Sequence, residues 1–96
     1  MNREKLEKLV GKTITVTGKY SYAGKKVKNK FLFRSIKLDD EELCDHLWIY
    51  VNRQKPFRPR ATYKFTGKVM KYIRDNGTWS FGIKYATAFK LTIKRI

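Results

Sequence analysis

Two large aromatic residues occupy alternate positions in the segment DHLWIYV, residues 45 to 51. Three aliphatic residues alternate there with His46, Trp48 and Tyr50. Because successive side chains of a strand point to opposite faces, one face should meet the core and the other should hold both rings at the surface. An exposed ring offers a stacking surface to any nucleobase, worth about 1–3 kcal/mol per base. The spacing therefore predicts that Trp48 and Tyr50 expose their rings on one face of the strand.

Positive charge dominates the composition. The 96 residues include 23 Lys and Arg against 8 Asp and Glu, which leaves a formal net charge of +15. Such an excess repels itself within a small domain, and a polyanion is the usual compensation. No apolar run approaches the roughly 18 residues of a membrane-spanning helix. The composition therefore favours a nucleic-acid partner over a membrane.

The acidic residues are concentrated in one stretch. Five of the eight lie between residues 39 and 45, and Asp75 is the only acid that follows them, whereas 12 Lys and Arg occupy residues 46–96. This asymmetry should steer a polyanion to one side of the molecule. The stretch DDEELCD is predicted to form a turn that keeps nucleic acid off one edge or recruits a basic partner.

Catalytic motifs are weak in this sequence. GKYSYAGKK approaches a phosphate-binding loop, but five residues rather than four separate Gly18 from Gly24, and Lys26 stands where Ser or Thr should follow Lys25. Acidic ligands of a nuclease metal usually come from separate strands, unlike DDEELCD. His46 has no companion histidine with which to form a metal site. The sequence predicts no enzyme, no metal and no cofactor.

Length and cysteine usage indicate one domain in a reducing compartment. The chain is expected to form a single domain, 1–96, with one modest core. Cys44 is the only cysteine, so no internal disulfide can form. MNREKLEKLV lacks the apolar segment of a signal peptide, and a cytoplasmic location is expected.

Periodicity predicts a short helix followed by five strands, a mainly all-β domain. The helix is expected over residues 2–10 and should stop at Gly11. The strand segments are KTITVTGKY, FLFRSIKL, HLWIYV, ATYKFTGKVMKYIR and TWSFGIKYATAFKL. Asn76-Gly77 predicts a type I′ hairpin between the last two. Alternation in the fifth strand places Trp79, Phe81, Ile83 and Tyr85 on one face, with Trp79 in the core.

These elements resemble the OB-fold, a five-stranded Greek-key barrel. The resemblance is carried by Gly18 in TVTGKY, by the lysine-rich loop after it, and by the RDNGTW hairpin. A first strand that bends at a glycine or a bulge can serve two sheets and close a barrel, here over residues 11 to about 90. The helix usual between strands 3 and 4 is missing, because NRQKPFRPR is short and holds two prolines. An SH3-like barrel is the nearest alternative.

The OB resemblance implies a binding face on strands 2 and 3, flanked by the 1–2 and 4–5 loops. Trp48 and Tyr50 would stack bases there, while nearby cations attract phosphates. The alternative is that both rings pack beneath the N-terminal helix or the proline-containing loop. The other predicted site residues are Lys25, Lys26, Lys28, Lys30, Phe33 and Arg34 around strand 2, Arg53, Phe57, Arg58 and Arg60 in the proline-containing loop, and Lys71 and Arg74 near the last hairpin.

Strand 2 permits two registers. The favoured, continuous register exposes Phe33 beside Trp48 and points Arg34 inward, which is costly unless the guanidinium reaches the edge of the core. The other register buries both phenylalanines of FLF and requires a bulge near Arg34 and Ser35. Phe57 is either part of a solvated loop or a clamp for a base or phosphate.

The chain is similar to the compact single-stranded-DNA-binding proteins of phages and mobile elements. That resemblance implies binding of single-stranded DNA with little sequence specificity in replication or recombination, without catalysis or cofactor. An RNA-binding or ribosome-associated basic domain is one alternative. A protein-interaction module that uses the Trp48 face on a replication protein is another. DNA and RNA are not separated by these residues, because contacts to the 2′-hydroxyl cannot be read from one sequence.

Overall fold

The computed structural model describes residues 3–25, 29–51 and 57–92. Its elements are α1 (Arg3–Leu9), β1 (Thr13–Ala23), β2 (Lys30–Leu38), β3 (Glu41–Val51), β4 (Thr62–Ile73) and β5 (Trp79–Leu91). The mainly β class and the short N-terminal helix are confirmed. The predicted acidic turn is wrong in extent, because β3 begins at Glu41 and only Asp39 and Asp40 remain in the turn. Within the described residues, no helix has the length and apolar character needed to cross a membrane.

The five strands close into a barrel in the order β1-β2-β3-β5-β4. Neighbouring strands are antiparallel except β3 and β5, which are parallel. The first half of β1 pairs with β4 and its second half pairs with β2. One strand therefore joins the two edges of the sheet, as the OB resemblance implies.

Gly18 lies where β1 changes from one partner strand to the other. A Cβ at this position would lie 2.8 Å from Ile36 Cδ1 and 3.3 Å from Phe33 Cβ, so glycine leaves room for two core side chains. One shift in the β1–β2 register, between Tyr20 and Tyr22, gives β1 an extra residue, whereas the shift beside Gly18 comes from an extra residue on β2. It is Ser35, which has a φ of 52° beside a shift in the β1–β2 register.

The bulge at Ser35 decides which side chains of β2 are buried. Phe31 and Phe33 before it are buried, Arg34 is exposed, and Ile36 after it is buried again. The predicted exposure of Phe33 is therefore wrong. Burying one large apolar side chain contributes about 1.5–3 kcal/mol. A single residue in a left-handed conformation costs about 1–3 kcal/mol, so burial of both phenylalanines outweighs it.

α1 closes the barrel end that also holds the β2–β3 and β4–β5 turns, which we call the helix end. Leu6 is fully buried there as part of the core. Lys5 Nζ lies 2.6 Å from Glu41 Oε1, and Glu7 Oε1 lies 2.5 Å from Lys71 Nζ. These contacts tie α1 to β3 and β4, which a helix of two turns needs in order to persist.

Phe57 closes the opposite end, which holds the β1–β2 and β3–β4 connections and which we call the loop end. Its ring centroid lies 4.8–5.3 Å from five other rings, those of Tyr20, Phe31, Phe33, Tyr63 and Phe89. Edge-to-face and tilted pairs at this separation are stabilising. The β3–β4 connection thus supplies an aromatic plug at the loop end.

The two turns at the helix end differ from the predicted geometry. Asp39 and Asp40 have φ of 51° and 65° and join β2 to β3 as a two-residue turn. The β4–β5 hairpin is present, but its turn is not type I′, because of Asn76 and Gly77 only Gly77 has a positive φ. Gly77 N donates to Arg74 O at 2.9 Å, which makes a three-residue loop with a glycine bulge.

The predicted inner stripe of β5 is confirmed only at its centre. Phe81 and Ile83 are buried, whereas Tyr85 is 59% exposed and Trp79 is 49% exposed. A bulge at Tyr85, with a φ of 56°, turns that ring outward and buries Ala86 instead. Trp79 is the first residue of β5, at the edge of the helix end, so its predicted core position is wrong.

Candidate nucleic-acid interface

The alternation in β3 is confirmed. Leu47, Ile49 and Val51 point into the core and are at most 4% exposed. Trp48 and Tyr50 lie on the outer side of the same strand and are half-buried. The inner residues anchor β3 to the core, so the two outer rings are held by a rigid element rather than by a loop.

Further aromatic side chains join these two on the outer surface, and we call the set the aromatic face. Its members are Tyr22, Trp48, Tyr50 and Tyr72, with Met70 beside them. The ring of Tyr22 meets that of Trp48 edge-on at a centroid distance of 5.9 Å, and Tyr22 is 50% exposed. Three strands of the barrel, β1, β3 and β4, thus contribute to one aromatic surface.

Lys30, the first residue of β2, lies over the two rings of β3. Its Nζ is 4.4 Å from the ring centroid of Trp48 and 5.8 Å from that of Tyr50. These are cation–π distances. The alternative prediction was that both rings pack beneath α1 or the proline-containing connection. Among the described residues, the ring and cation–π contacts come instead from Tyr22 of β1 and Lys30 of β2. Lys30 therefore places a positive charge directly over the aromatic face, whereas the sequence predicted it at the edge of the site.

A glycine leaves space on β5 between Trp48 and Tyr72. A Cβ at Gly82 would lie 3.0 Å from both Trp48 O and Met70 Cε, and 3.5 Å from Tyr72 Cε1. Burial raises the pKa of Tyr50, and the nearby Tyr72 hydroxyl raises it further. The Tyr50 hydroxyl therefore stays protonated at neutral pH and can donate a hydrogen bond.

Leu32 explains why the rings are only half-exposed. It points to the outer side of β2, yet it is 3% exposed, and its lateral partners are Tyr22 and Trp48. The rings therefore cover Leu32 with one part of their surface and leave the rest open. Packing of this kind fixes the orientation of a ring before binding, which lowers the entropic cost of binding.

Two arginines border the aromatic face toward the helix end. Arg34 is exposed, and its Nε donates to Ser21 Oγ at 3.3 Å. Arg74 Nη2 donates to Ser80 Oγ at 3.1 Å, and Ser80 lies on the outer side of β5. Both predicted positions are therefore next to the face, and each guanidinium retains further donors for a ligand.

Lys71 lies on the opposite side of β4 from Met70 and Tyr72. Its Nζ is paired with Glu7 of α1 and lies 5.2 Å from the ring centroid of Trp79. The prediction that Lys71 flanks the aromatic face together with Arg74 is wrong. Adjacent residues of a strand point to opposite faces, so Lys71 cannot share a surface with residues 70, 72 and 74.

The structure describes only some of the loop lysines and arginines that were predicted to contact nucleic acid. Lys25 is exposed after β1. Lys26, Lys28 and Arg53 lie outside the described residues. Arg58 is exposed in the β3–β4 connection, and its backbone N–H donates to the Tyr63 hydroxyl at 2.8 Å.

Arg60 lies beside β1 rather than beside Trp48. Together with Lys19 and Arg34 it lines a groove of about 310 Å³. Its backbone N–H donates to Tyr20 O at 3.1 Å, which fixes the connection against β1. Arg60 therefore extends a cationic path from Arg34 along the barrel wall.

Neither predicted phenylalanine lies on the aromatic face. Phe33 is fully buried in the core. Phe57 is the plug of the loop end, and the interpretation of its surroundings as a solvated loop is wrong. The close ring contacts of Phe57 indicate a packing role and do not favour a base clamp.

All eight acidic residues lie at or near the helix end. They are Glu4 and Glu7 in α1, Asp39 and Asp40 in the β2–β3 turn, Glu41, Glu42 and Asp45 in the first half of β3, and Asp75 in the β4–β5 turn. Every charged residue at the loop end is Lys or Arg. The barrel is therefore polarised along its axis, and an approaching polyanion is drawn toward the loop end.

Sequence reasoning missed Tyr22, Met70 and Tyr72. An irregularity between Tyr20 and Tyr22 turns Tyr22 to the outer side of β1, whereas simple alternation would keep it on the same side as Tyr20. In β4 the buried Val69 lies at an odd-numbered position and Tyr72 at an even-numbered one. The alternation of the strand therefore predicts an outer position for Tyr72. The sequence does not predict that Tyr72 lies near Trp48 and Tyr50 of β3, because the pairing of distant strands is not a local property of the sequence.

A comparison of the chain with protein-family models, with curated proteins and with solved structures gives no match. The functional argument therefore depends on the chemistry of the site itself.

Proposed function

We propose that the protein binds single-stranded DNA with little sequence specificity, by stacking unpaired bases on the aromatic face. The observation that carries the proposal is the position of Trp48 and Tyr50, on the outer side of β3, beneath the ammonium group of Lys30. An aromatic surface beside cations suits a strand whose bases are free. A duplex hides the faces of its bases and offers mainly phosphates.

Energetics favour replacement of Lys30 by a base. An exposed cation–π contact is worth about 0.5–1 kcal/mol. A stacked base is worth about 1–3 kcal/mol. A base can therefore displace the ammonium from Trp48, and the released Lys30 then lies close to the phosphate of the same nucleotide.

The low sequence specificity follows from the type of contact. Every base has a π-face, so stacking selects weakly among bases, whereas discrimination needs hydrogen bonds to base edges. Hydroxyls of Tyr22, Tyr50 and Tyr72 are available but few. The setting implied by the resemblance, replication or recombination of phage or mobile-element DNA, belongs to the same proposal.

The test is a titration of labelled oligothymidine, oligouridine and duplex DNA with equal numbers of phosphates, followed by fluorescence anisotropy. In moderate salt the single strand should bind at least about tenfold more tightly than the duplex, a difference of about 1.4 kcal/mol. If about five phosphates are contacted, log K should fall with log salt with a slope near −3.5.

Other results would redirect the proposal. Equal affinities for strand and duplex would contradict stacking and leave a general basic protein. Tighter binding of oligouridine or of structured RNA would favour an RNA-binding domain. Absence of binding to any of these ligands would favour a module that binds another protein through the Trp48 face.

A further inference from the structure

Threonine and lysine form four rows on a second outer surface of the barrel, and we call these rows the threonine–lysine face. It covers the outer side of β1, β4 and the second half of β5. Four rows of lateral partners cross it: Lys19–Thr62–Thr92, Thr17–Lys64–Lys90, Thr15–Thr66–Thr87 and Thr13–Lys68–Lys84. None of these twelve side chains is buried. These rows contain no carboxylate, and the exposed ring of Tyr85 borders them, with its centroid 5.2 Å from Lys84 Nζ.

Two bulges in β5 keep three of its side chains, Lys84, Thr87 and Lys90, on the threonine–lysine face. Lys84, Thr87 and Lys90 are spaced by three residues, and in a regular strand that spacing would alternate between faces. Tyr85 and Ala88 have φ of 56° and 58°, and the β4–β5 register shifts beside each of them. Each extra residue restores the next side chain to the face. Strain of this kind, about 1–3 kcal/mol per residue, tends to persist at functional surfaces.

The chemistry of the face suits a sugar–phosphate backbone. Ammonium and hydroxyl groups are both donors to phosphate oxygens. Alternate residues of a strand are about 6.6–6.8 Å apart, a spacing similar to that of successive phosphates in an extended strand. Thr15 Oγ1 and Thr66 Oγ1 are hydrogen-bonded to each other at 2.8 Å, and one hydroxyl of the pair still has a proton to offer.

Two shallow grooves give this surface relief. Their volumes are about 400 and 520 Å³, and both are lined by Thr17 and Thr92 of the face and by Lys37 of β2. Arg60 lines the larger groove toward the loop end, whereas Asp40 lines both grooves toward the helix end. A backbone lying here is therefore favoured along most of its path and repelled only at the acidic turn.

We propose that the threonine–lysine face binds the backbone of a second nucleic-acid segment, so that one protein molecule bridges two segments. The aromatic face is centred on β3 and reaches β4 only at Met70 and Tyr72, whereas the threonine–lysine face is centred on residues 64–68 of β4. In the closed barrel these strands are separated by β5 on one side and by β1 and β2 on the other. The two surfaces share no residue, so both can be occupied at once. Backbone binding stands independently of stacking, whereas bridging rests on the proposed single-strand function.

Paired lysine variants test the backbone site. Lys64→Gln/Lys90→Gln removes two charges from one row of the face. Lys8→Gln/Lys12→Gln removes the same charge near the helix end and serves as the matched control. Binding to duplex DNA is measured against salt. The first variant should flatten the slope of log K against log salt by about 1.8, taking about 0.9 per duplex phosphate contact, and the control should leave it unchanged. Equal effects of the two variants would overturn the site.

Energy transfer tests the bridge. A donor-labelled short oligothymidine strand and an acceptor-labelled duplex of unrelated sequence are mixed with the full-length protein. Transfer is expected with the parent protein and is expected to be lost in Lys64→Gln/Lys90→Gln, which should still show quenching of Trp48 emission by the strand. Trp48→Ala should also lose transfer, yet it should keep the parental salt slope for duplex binding.

Each remaining outcome is decisive. Absence of transfer with the parent protein overturns bridging. Transfer that survives in Lys64→Gln/Lys90→Gln also overturns it, because two copies joined through their aromatic faces would then explain the signal. Loss of Trp48 quenching in that variant would place the single strand itself on the threonine–lysine face. If the strand never affects Trp48 but the duplex slope still depends on Lys64 and Lys90, the stacking function fails and the second surface stands.

Discussion

Replacing Trp48 by alanine separates a binding role of this ring from a packing role. In the unbound protein Trp48 meets the edge of Tyr22 and lies beneath Lys30. An aromatic pair contributes about 0.5–1.5 kcal/mol, and an exposed cation–π contact about 0.5–1 kcal/mol. Trp48→Ala should therefore cost about 1–2.5 kcal/mol of folding free energy.

The expected change in melting temperature follows from the size of the chain. Unfolding entropy is about 2.1 cal/mol/K per residue, or about 200 cal/mol/K for this protein. A loss of 1–2.5 kcal/mol then lowers Tm by about 5–12 °C. The variant should remain folded at room temperature, where its binding can be measured.

The loss of affinity is expected to be of similar size in free energy, but it has a separate cause. Removing one stacked base costs about 1–3 kcal/mol, which is about 5- to 150-fold in Kd for a single strand. The salt dependence should hardly change, because the lysines and arginines that contact phosphates are still present. Fluorescence anisotropy with labelled oligothymidine at several salt concentrations measures both quantities, and circular dichroism follows the melt.

Two variants serve as controls. Trp48→Phe keeps an aromatic ring on β3 and should keep most of the affinity. Trp79→Ala removes the other tryptophan, which is 49% exposed at the helix end, and should leave single-strand affinity unchanged. A fall in Tm of more than about 20 °C in Trp48→Ala would identify a packing residue. A normal melt with unchanged affinity would refute the stacking role.

Three further predictions concern stability. Phe57→Ala removes the plug of the loop end and should cost about 2–4 kcal/mol, seen as a fall in Tm of about 10–20 °C, with little change in single-strand affinity of the folded protein. Gly67→Ala places a Cβ 2.3 Å from Ile83 Cγ2 and should cost about 1–3 kcal/mol in a denaturant titration. Burial raises the pKa of the Cys44 thiol to about 12 from 9.0. Above about pH 9 the unfolded chain therefore loses a proton that the folded chain keeps, and stability falls by up to about 1.4 kcal/mol per pH unit until the folded thiol also ionises. Cys44→Ala should flatten the alkaline slope of the unfolding free energy by that amount.

These predictions fail in distinguishable ways. Weaker DNA binding in Phe57→Ala at full stability would restore the clamp interpretation. If Gly67→Ala costs the same in an Ile83→Ala background, the predicted contact does not account for the loss. Equal alkaline slopes for Cys44→Ala and the parent, measured over about pH 8–10.5, would mean that the thiol ionises alike in both states.

The alternation in β3 was readable because its two faces differ in chemistry. Aliphatic residues occupy one set of alternate positions, and His46, Trp48 and Tyr50 occupy the other. Only one orientation of the strand therefore places aliphatic side chains in the core. The same applies to β4, where Tyr63, Phe65 and Val69 share one parity of the segment and are all buried. Barrel closure was also within reach, because Gly18 marked the place where β1 serves two partners.

Bulges at non-glycine residues were only partly readable, because the second register of β2 required a bulge near Ser35 but no residue indicated those at Tyr85 and Ala88. Ser35, Tyr85 and Ala88 adopt left-handed conformations without glycine or asparagine to indicate them. Each bulge reverses the parity of the residues before it relative to those after it, so a continuous alternation drawn through the bulge assigns Phe33 and Tyr85 to the wrong side. The stabilisation that selects these bulges comes from distant core partners and is not encoded within the strand.

The composition of the candidate site was only partly predictable for the same reason. Trp48, Tyr50 and Lys30 could be assigned to one surface from alternation and from the OB resemblance. Tyr72 and Arg74 reach that surface through the order of strands in the barrel. Lys71, one position away, lies on the other side of β4 against Glu7. The threonine–lysine face likewise depends on the register of three strands that are distant in sequence.

Stacking of bases on Trp48 is the central claim, and emission from this residue tests it most directly. In Trp79→Phe protein, Trp48 is the only source of tryptophan fluorescence. The protein is titrated with oligothymidine and with an abasic strand of the same length, which has the same phosphates but no bases. Oligothymidine should quench Trp48 emission and bind at least about tenfold more tightly than the abasic strand. Equal affinities with the same emission change for both strands would contradict stacking and reduce the aromatic face to a basic surface.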